Sequence, residues 1–197
     1  MKRLAAVFLV LMATAAFAGS ELGAGAKAPG FSLVNSVDGK KVTFKPGDGK
    51  TSVVIFTCNQ CPYSKAFEQR IIDIGKAYGQ KGVVFYAVNP NDDSRYAEET
   101  LSNMKARAKG RSYPFPYLKD GNSAVAGSYG ARVTPHAYLV DGKGVIVYRG
   151  YVDDSAKPGE REHTGLTDAL DSLLAKQAVK ESETAAFGCT IKWKKGA

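Results

Sequence analysis

The sequence predicts an α/β domain with a central mixed β-sheet flanked by helices and a β-hairpin at its N-terminal end. Residues 52–57 and 83–88 are continuous apolar, β-rich runs, as strands buried on both faces should be. The stretch between them has helical spacing, so the three form a strand–helix–strand unit with a right-handed crossover. Asp38-Gly39 and Asp141-Gly142-Lys143-Gly144 each separate two short β-rich runs and mark antiparallel hairpins.

At the start of the chain Lys2 and Arg3 precede an uncharged apolar run, 4–16, and Ala16-Phe17-Ala18 fits the small-x-small pattern of signal peptidase sites. Residues 1–18 are therefore expected to be a signal peptide, which makes the protein exported and, in a bacterial-type cell, periplasmic. The run is shorter than the roughly 20 residues a spanning helix needs. No later stretch is apolar enough to span, so no membrane association is expected after cleavage. Residues 19–30 are small and polar and are expected to form a flexible lead-in, 31–177 the folded domain, and 178–197 a C-terminal tail.

Within the domain, the first helix begins near Cys61 to Tyr63, because Pro62 suits a first turn where its missing N–H has no partner. Phe67, Ile71, Ile74 and Tyr78 share its inner face, and Gly79 or Gly82 ends it. A second helix is expected after the caps at 91–94, with Glu98 and Glu99 in its early turns and Ala97, Leu101, Met104 and Ala108 as its inner stripe. Residues 113–118 look extended, and 123–129 suit a short helix. The hairpin around 141–144 is followed by a polar loop at 153–163. A last helix at 164–177 is expected to bury Leu166, Leu170, Leu173 and Leu174.

The chain carries a net charge of +8, which the loss of Lys2 and Arg3 lowers by two. The basic residues are scattered, apart from a small cluster at Lys192, Lys194 and Lys195, so no nucleic-acid partner is expected. Three cysteines are too few for a disulfide-stapled scaffold, and two of them stand as Cys58-Asn59-Gln60-Cys61. A strand that runs into C-x-x-C at a helix start suits redox chemistry, since unpaired N–H groups and the helix dipole stabilise a thiolate there. Cys58 is expected to be the nucleophile and Cys61, one turn on and facing inward, the resolving thiol. A structural bridge closes a loop too short to constrain the unfolded chain much. A zinc site would need two more ligands, and His136, His163 and Cys189 stand in no recognisable spacing. No metal and no cofactor is assigned.

The run from Val53 to Tyr63, the segment from Tyr129 to Val140 with Val133-Thr134-Pro135, and the order of elements resemble the thioredoxin-like superfamily. More narrowly the chain is similar to its redoxin branch, AhpC/TSA or peroxiredoxin-like, which adds an N-terminal hairpin. Tyr148-Arg149-Gly150-Tyr151-Val152-Asp153 and the phrase from Phe187 to Trp193 also look like that branch, and the likeness runs from about Phe31 to Lys194. The resemblance implies a thioredoxin-like fold and a cis peptide bond before Pro135, facing the C-x-x-C. It also implies that the backbone of Thr134 pairs with an extended substrate segment. Thr134, Pro135, Asn59 and Gln60 are thus the substrate-binding candidates, with Thr57 and Cys189 as accessory candidates.

Peroxiredoxins resemble one another in a Pro seven residues and a Thr three residues before the peroxide-reacting Cys. Before Cys58 those positions hold Thr51 and Ile55, and before Cys61 they hold Val54 and Cys58. Thiol–disulfide exchange with disulfide-bearing or dithiol proteins, coupled to an unidentified electron donor or acceptor, is therefore favoured over peroxide reduction. A copper carrier resembling the Sco type, with His136 as third ligand, is a further alternative. Cys189 shares the inward face of an alternating tail with Phe187, Ile191 and Trp193, so it is expected as a buried, inert thiol, the alternative being a third redox partner.

Overall fold

The computed structural model describes residues 21–195, and the segment 1–18, expected as a signal peptide, lies outside them. β1 (Phe31–Asn35) and β2 (Lys41–Phe44) form the expected N-terminal hairpin, followed by β3 (Ser52–Phe56), α1 (Pro62–Gly79) and β4 (Val84–Asn89). Next come α2 (Leu101–Gly110), β5 (Tyr117–Lys119), α3 (Ala124–Tyr129), β6 (Val133–Thr134) and β7 (His136–Val140). β8 (Ile146–Gly150), α4 (Gly165–Leu174) and β9 (Cys189–Thr190) complete the chain. The main sheet has seven strands in the order β2-β1-β5-β4-β3-β7-β8, and β6 pairs separately with β9. β3 lies at its centre, parallel to β4 and antiparallel to β7, so the sheet is mixed as the sequence predicts.

Every residue of β3 is buried, and alternate side chains feed two cores. Val53 and Ile55 pack with Phe67, Ile71 and Ile72 of α1, Met104 and Ala108 of α2, and Leu166 and Leu170 of α4. Val54 and Phe56 pack on the other face with Phe31, Phe44, Tyr129, Tyr138 and Ile191. That is the period-2 rule of a strand with two covered faces. Leu101 and Leu174, expected inside, are 40% and 36% exposed. Leu101 is the first residue of α2 and Leu174 the last of α4, where a terminal turn has no neighbouring turn to continue the buried stripe.

Both ends of the described chain are tied to the sheet, the first in contrast to the flexible lead-in expected at 19–30. The Leu22 N–H donates to Tyr129 O at 3.0 Å, the Gly25 N–H to Ile146 O at 2.8 Å, and the Ala28 N–H to Gly144 O at 3.0 Å. At the other end, the Arg149 N–H donates to Ser182 O and the Thr184 N–H to Arg149 O, both at 3.0 Å, which runs the tail along the outer strand β8 and covers an otherwise open edge. The tail then passes the start of α1, where Phe187 packs on Tyr63 and Phe67 at ring distances of 5.9 and 5.6 Å. Ile191 is buried as expected, whereas Trp193, beyond the strand, is 44% exposed. Among the described residues, no helix is long and apolar enough to cross a membrane.

Candidate functional site

The site lies where β3 ends and α1 begins. Cys58 and Cys61 are both free thiols and each is 3% exposed. The Thr134-Pro135 bond is cis, as the family resemblance implies, and Thr134 touches both cysteines. Its hydroxyl lies 3.2 Å from Cys58 Sγ, and its carbonyl lies 3.2 Å from Cys61 Sγ. Ser64, in the first turn of α1, adds a hydroxyl 3.7 Å from Cys58 Sγ and an N–H that donates to Cys61 Sγ at 3.5 Å.

That last bond makes Cys61, and not Cys58, the cap of α1. α1 begins at Pro62, so Cys61 is its N-cap and Cys58 stands a loop before the dipole's positive end. The Cys61 thiol is lowered to about 4, chiefly by a hydrogen bond from Cys58, with Cys189 and the Ser64 N–H adding to it. When ionised it gives up its bond to the Thr134 carbonyl and keeps these donors. Cys58 moves the opposite way: its bond to Cys61, its burial and the nearby Glu99 carboxylate push its thiol up.

Glu99 is the residue that sequence reasoning missed in kind. It was expected in an early helical turn, but α2 starts later, at Leu101, and Glu99 ends a short 3-10 turn with its side chain fully buried. Its carboxylate accepts the N–H groups of Asn59 and Gln60 at 2.9 and 3.1 Å and the side-chain amides of Asn89 and Asn91 at 2.8 and 3.3 Å. A buried carboxylate is tolerated only with such a set of donors. Here the donors include the two amides between the cysteines, so Glu99 clamps the C-x-x-C loop. Nothing in local sequence could have revealed this, because the partners at 59–60 lie some 40 residues from Glu99 in sequence.

The other candidates divide. Gln60 is exposed at the loop tip. Asn59 points inward, its amide donating to Glu98 O at 2.7 Å and its carbonyl oxygen accepting from Tyr117 at 3.0 Å, so its side chain is committed to the loop. Thr57 lines a small cavity with Glu68, Ile71, Ala87, Tyr113 and Phe115, and the hydroxyls beside the thiols are those of Ser64 and Thr134. The Thr134 backbone is already paired, because Cys189 of β9 stands directly opposite it.

His136 lies away from the thiols. It stacks on Tyr138 at 4.6 Å in the sheet's other layer, with Nε2 3.2 Å from Glu21 Oε1, and burial holds its imidazole down at about 3, in the neutral form. Among the described residues no group of three or more His, Cys, Asp or Glu side chains is placed to hold a metal ion.

Comparison with solved structures gives two long matches. An uncharacterized conserved protein from Geobacillus kaustophilus is 39% identical, with a TM-score of 0.82 over 88% of this chain and 94% of that one. A hypothetical protein from Sinorhizobium meliloti is 32% identical, with a TM-score of 0.82 over 90% of this chain and 98% of that one. The thioredoxin domain of a thiol-disulfide oxidoreductase from Bacteroides vulgatus shares the fold at 21% identity, with a TM-score of 0.60 over 78% of this chain and 99% of that one. Comparison with curated proteins found no match. The AhpC/TSA family model matches residues 24–149, more than half of the chain, and the protein, thioredoxin-like in fold and redoxin in branch, belongs to that family.

Proposed function

We propose that the protein is an exported thiol–disulfide oxidoreductase whose Cys58/Cys61 pair exchanges disulfides with other proteins. The observation that carries this reading is a pair of free thiols at the start of α1, both in contact with Thr134 of the cis Thr134-Pro135 bond. Cys61, ionised, attacks one sulfur of a substrate disulfide; a Cys61–substrate bond forms as the substrate's own S–S bond breaks and its other sulfur leaves as thiolate. Cys58, having lost its proton to that leaving group, attacks Cys61, closes the Cys58–Cys61 disulfide and frees the second substrate sulfur. Two electrons pass from the pair to the substrate, and the reverse sequence oxidises a substrate dithiol. A thiol or disulfide partner of unidentified kind resets the pair. Export rests on the pattern at 1–18, and periplasmic placement on the same pattern.

Reduction of insulin by dithiothreitol, followed by turbidity, tests the reading. The mature chain should accelerate it. Cys61→Ser should abolish the acceleration, and Cys58→Ser should slow it by removing the resolving thiol. A Cys61→Ser variant as active as the parent would overturn the mechanism.

Thiol peroxidase activity is the second reading, favoured by the Thr134 and Ser64 hydroxyls beside Cys58 and by membership of the AhpC/TSA family. Consumption of hydrogen peroxide with a recycling reductant separates the two. Slow consumption beside rapid insulin reduction supports disulfide exchange, and the opposite pattern supports the peroxidase.

A further inference from the structure

The tail brings a third thiol to the pair. β9 is held to β6 by the Val133–Thr190 and Thr134–Cys189 pairs and by the Ile191 N–H, which donates to Arg132 O at 2.9 Å. Thr134 thereby pairs with Cys189 while touching both active-site thiols, its hydroxyl and its carbonyl each 3.2 Å from one sulfur. Gly188 makes the approach feasible: a Cβ there would meet Thr134 O at 2.1 Å. Phe187, wedged against Tyr63 and Phe67, anchors the same segment to the first turns of α1. Further along, the Lys192 N–H donates to Asn91 Oδ1 at 2.9 Å and its carbonyl accepts the Asp92 N–H at 2.7 Å. Cys189 is thus held on both sides, and it is more exposed than Cys58 or Cys61.

We propose that Cys189 is a third redox-active thiol of this site, forming a Cys61–Cys189 disulfide that alternates with Cys58–Cys61; the proposal rests on the reading of the pair as redox-active. Starting from the Cys58–Cys61 disulfide, the Cys189 sulfur attacks Cys61, the Cys61–Cys189 bond forms, and the Cys58–Cys61 bond breaks. Cys58 takes up the proton that Cys189 gives up, one disulfide replaces another, and no outside oxidant or reductant is consumed. The chemistry of the neighbourhood agrees. Cys189 and its backbone amide both act on Cys61. The most exposed cysteine of the three would then carry the oxidised state outward, away from the buried pair.

Oxidised glutathione is the probe. The full mature chain and its Cys58→Ser variant are equilibrated with it, acid-quenched, alkylated under denaturing conditions and digested with trypsin without reduction. Cys58 and Cys61 fall on one tryptic peptide, 51–65, and Cys189 on another, 181–192. The parent chain should yield some linked 51–65/181–192 peptide, and Cys58→Ser should yield it almost completely, with loss of Cys189 alkylation and no retained glutathione. Adding Cys189→Ser to Cys58→Ser should leave glutathione on Cys61. The proposal is overturned if Cys58→Ser keeps glutathione on Cys61 while Cys189 stays fully alkylated. Should that variant fail to fold by circular dichroism, the parent chain decides, and absence of the linked peptide from it overturns the proposal. Linked peptide without insulin reduction would leave this proposal standing and remove the proposed function instead.

Discussion

Thr134, the residue before the cis proline, is the strand partner of Cys189, so the tail of the protein occupies the backbone edge beside its own thiol pair. An extended protein substrate that pairs with Thr134 must first displace residues 187–191. Access to Cys61 is therefore coupled to how firmly the tail is docked.

Gly188→Ala should loosen that docking. The added methyl meets the Thr134 carbonyl at 2.1 Å, and neither backbone can yield without breaking the β6–β9 pairing. Overpacking costs typically 1–3 kcal/mol, so the open form of the tail should rise by about tenfold or more. Alkylation of Cys189 in the native, reduced protein reads this directly, and an unchanged rate would show that the tail opens without breaking this contact.

Cys61 should react with iodoacetamide at a rate that changes little over the neutral range. A thiol held at about 4 is already ionised there, so raising the pH adds no nucleophile. An ordinary thiol near pKa 8.5 gains about tenfold per pH unit below that value. Peptide-resolved labelling, with the faster site at Cys61 and a flat profile, is the expected result. Faster labelling of Cys58 would return the nucleophile to the position first read from sequence.

The reduction potential of the pair should lie above that of a typical reductant. Stabilising the Cys61 thiolate favours the dithiol over the disulfide, which makes the disulfide easier to reduce. Equilibration with glutathione should therefore place it between about −270 mV and about −120 mV, the values of a reducing and a strongly oxidising dithiol. A more negative potential would mean that the disulfide is stabilised more than the thiolate.

Glu99→Ala should cost about 3 kcal/mol or more in urea unfolding of the reduced protein, the scale for removing one partner from a buried charged network. The side-chain amides of Asn89 and Asn91 and the N–H groups of Asn59 and Gln60 all lose their acceptor together. A loss well under about 1 kcal/mol would mean that water replaces the carboxylate and the clamp is dispensable.

Most of the framework was legible in order because its signals are local. The buried runs at β3 and β4, the Pro62 start of α1, the two hairpins and the short α3 each depend on a few adjacent residues, and each lies within a residue or two of its expected place. The thiol pair was legible for the same reason, and the cis bond before Pro135 followed from family resemblance. Which cysteine caps α1 was not, because that turns on the first residue of the helix. His136 carried no local sign of which sheet layer it would join, and it fell on the layer away from the thiols, beside Glu21 and Arg149.

By itself, then, the sequence determined the strand and helix order, the dithiol and the AhpC/TSA likeness, all of which are written in neighbouring residues. Only the tertiary structure decided that Glu99 clamps the loop between the cysteines, that Cys61 caps the helix, and that the tail sets Cys189 against Thr134. The first and last of those contacts join residues 40 and 55 apart in sequence, in a low-dielectric interior where a buried charge or thiol takes its properties from whatever the fold brings beside it, while the cap turns on where α1 begins.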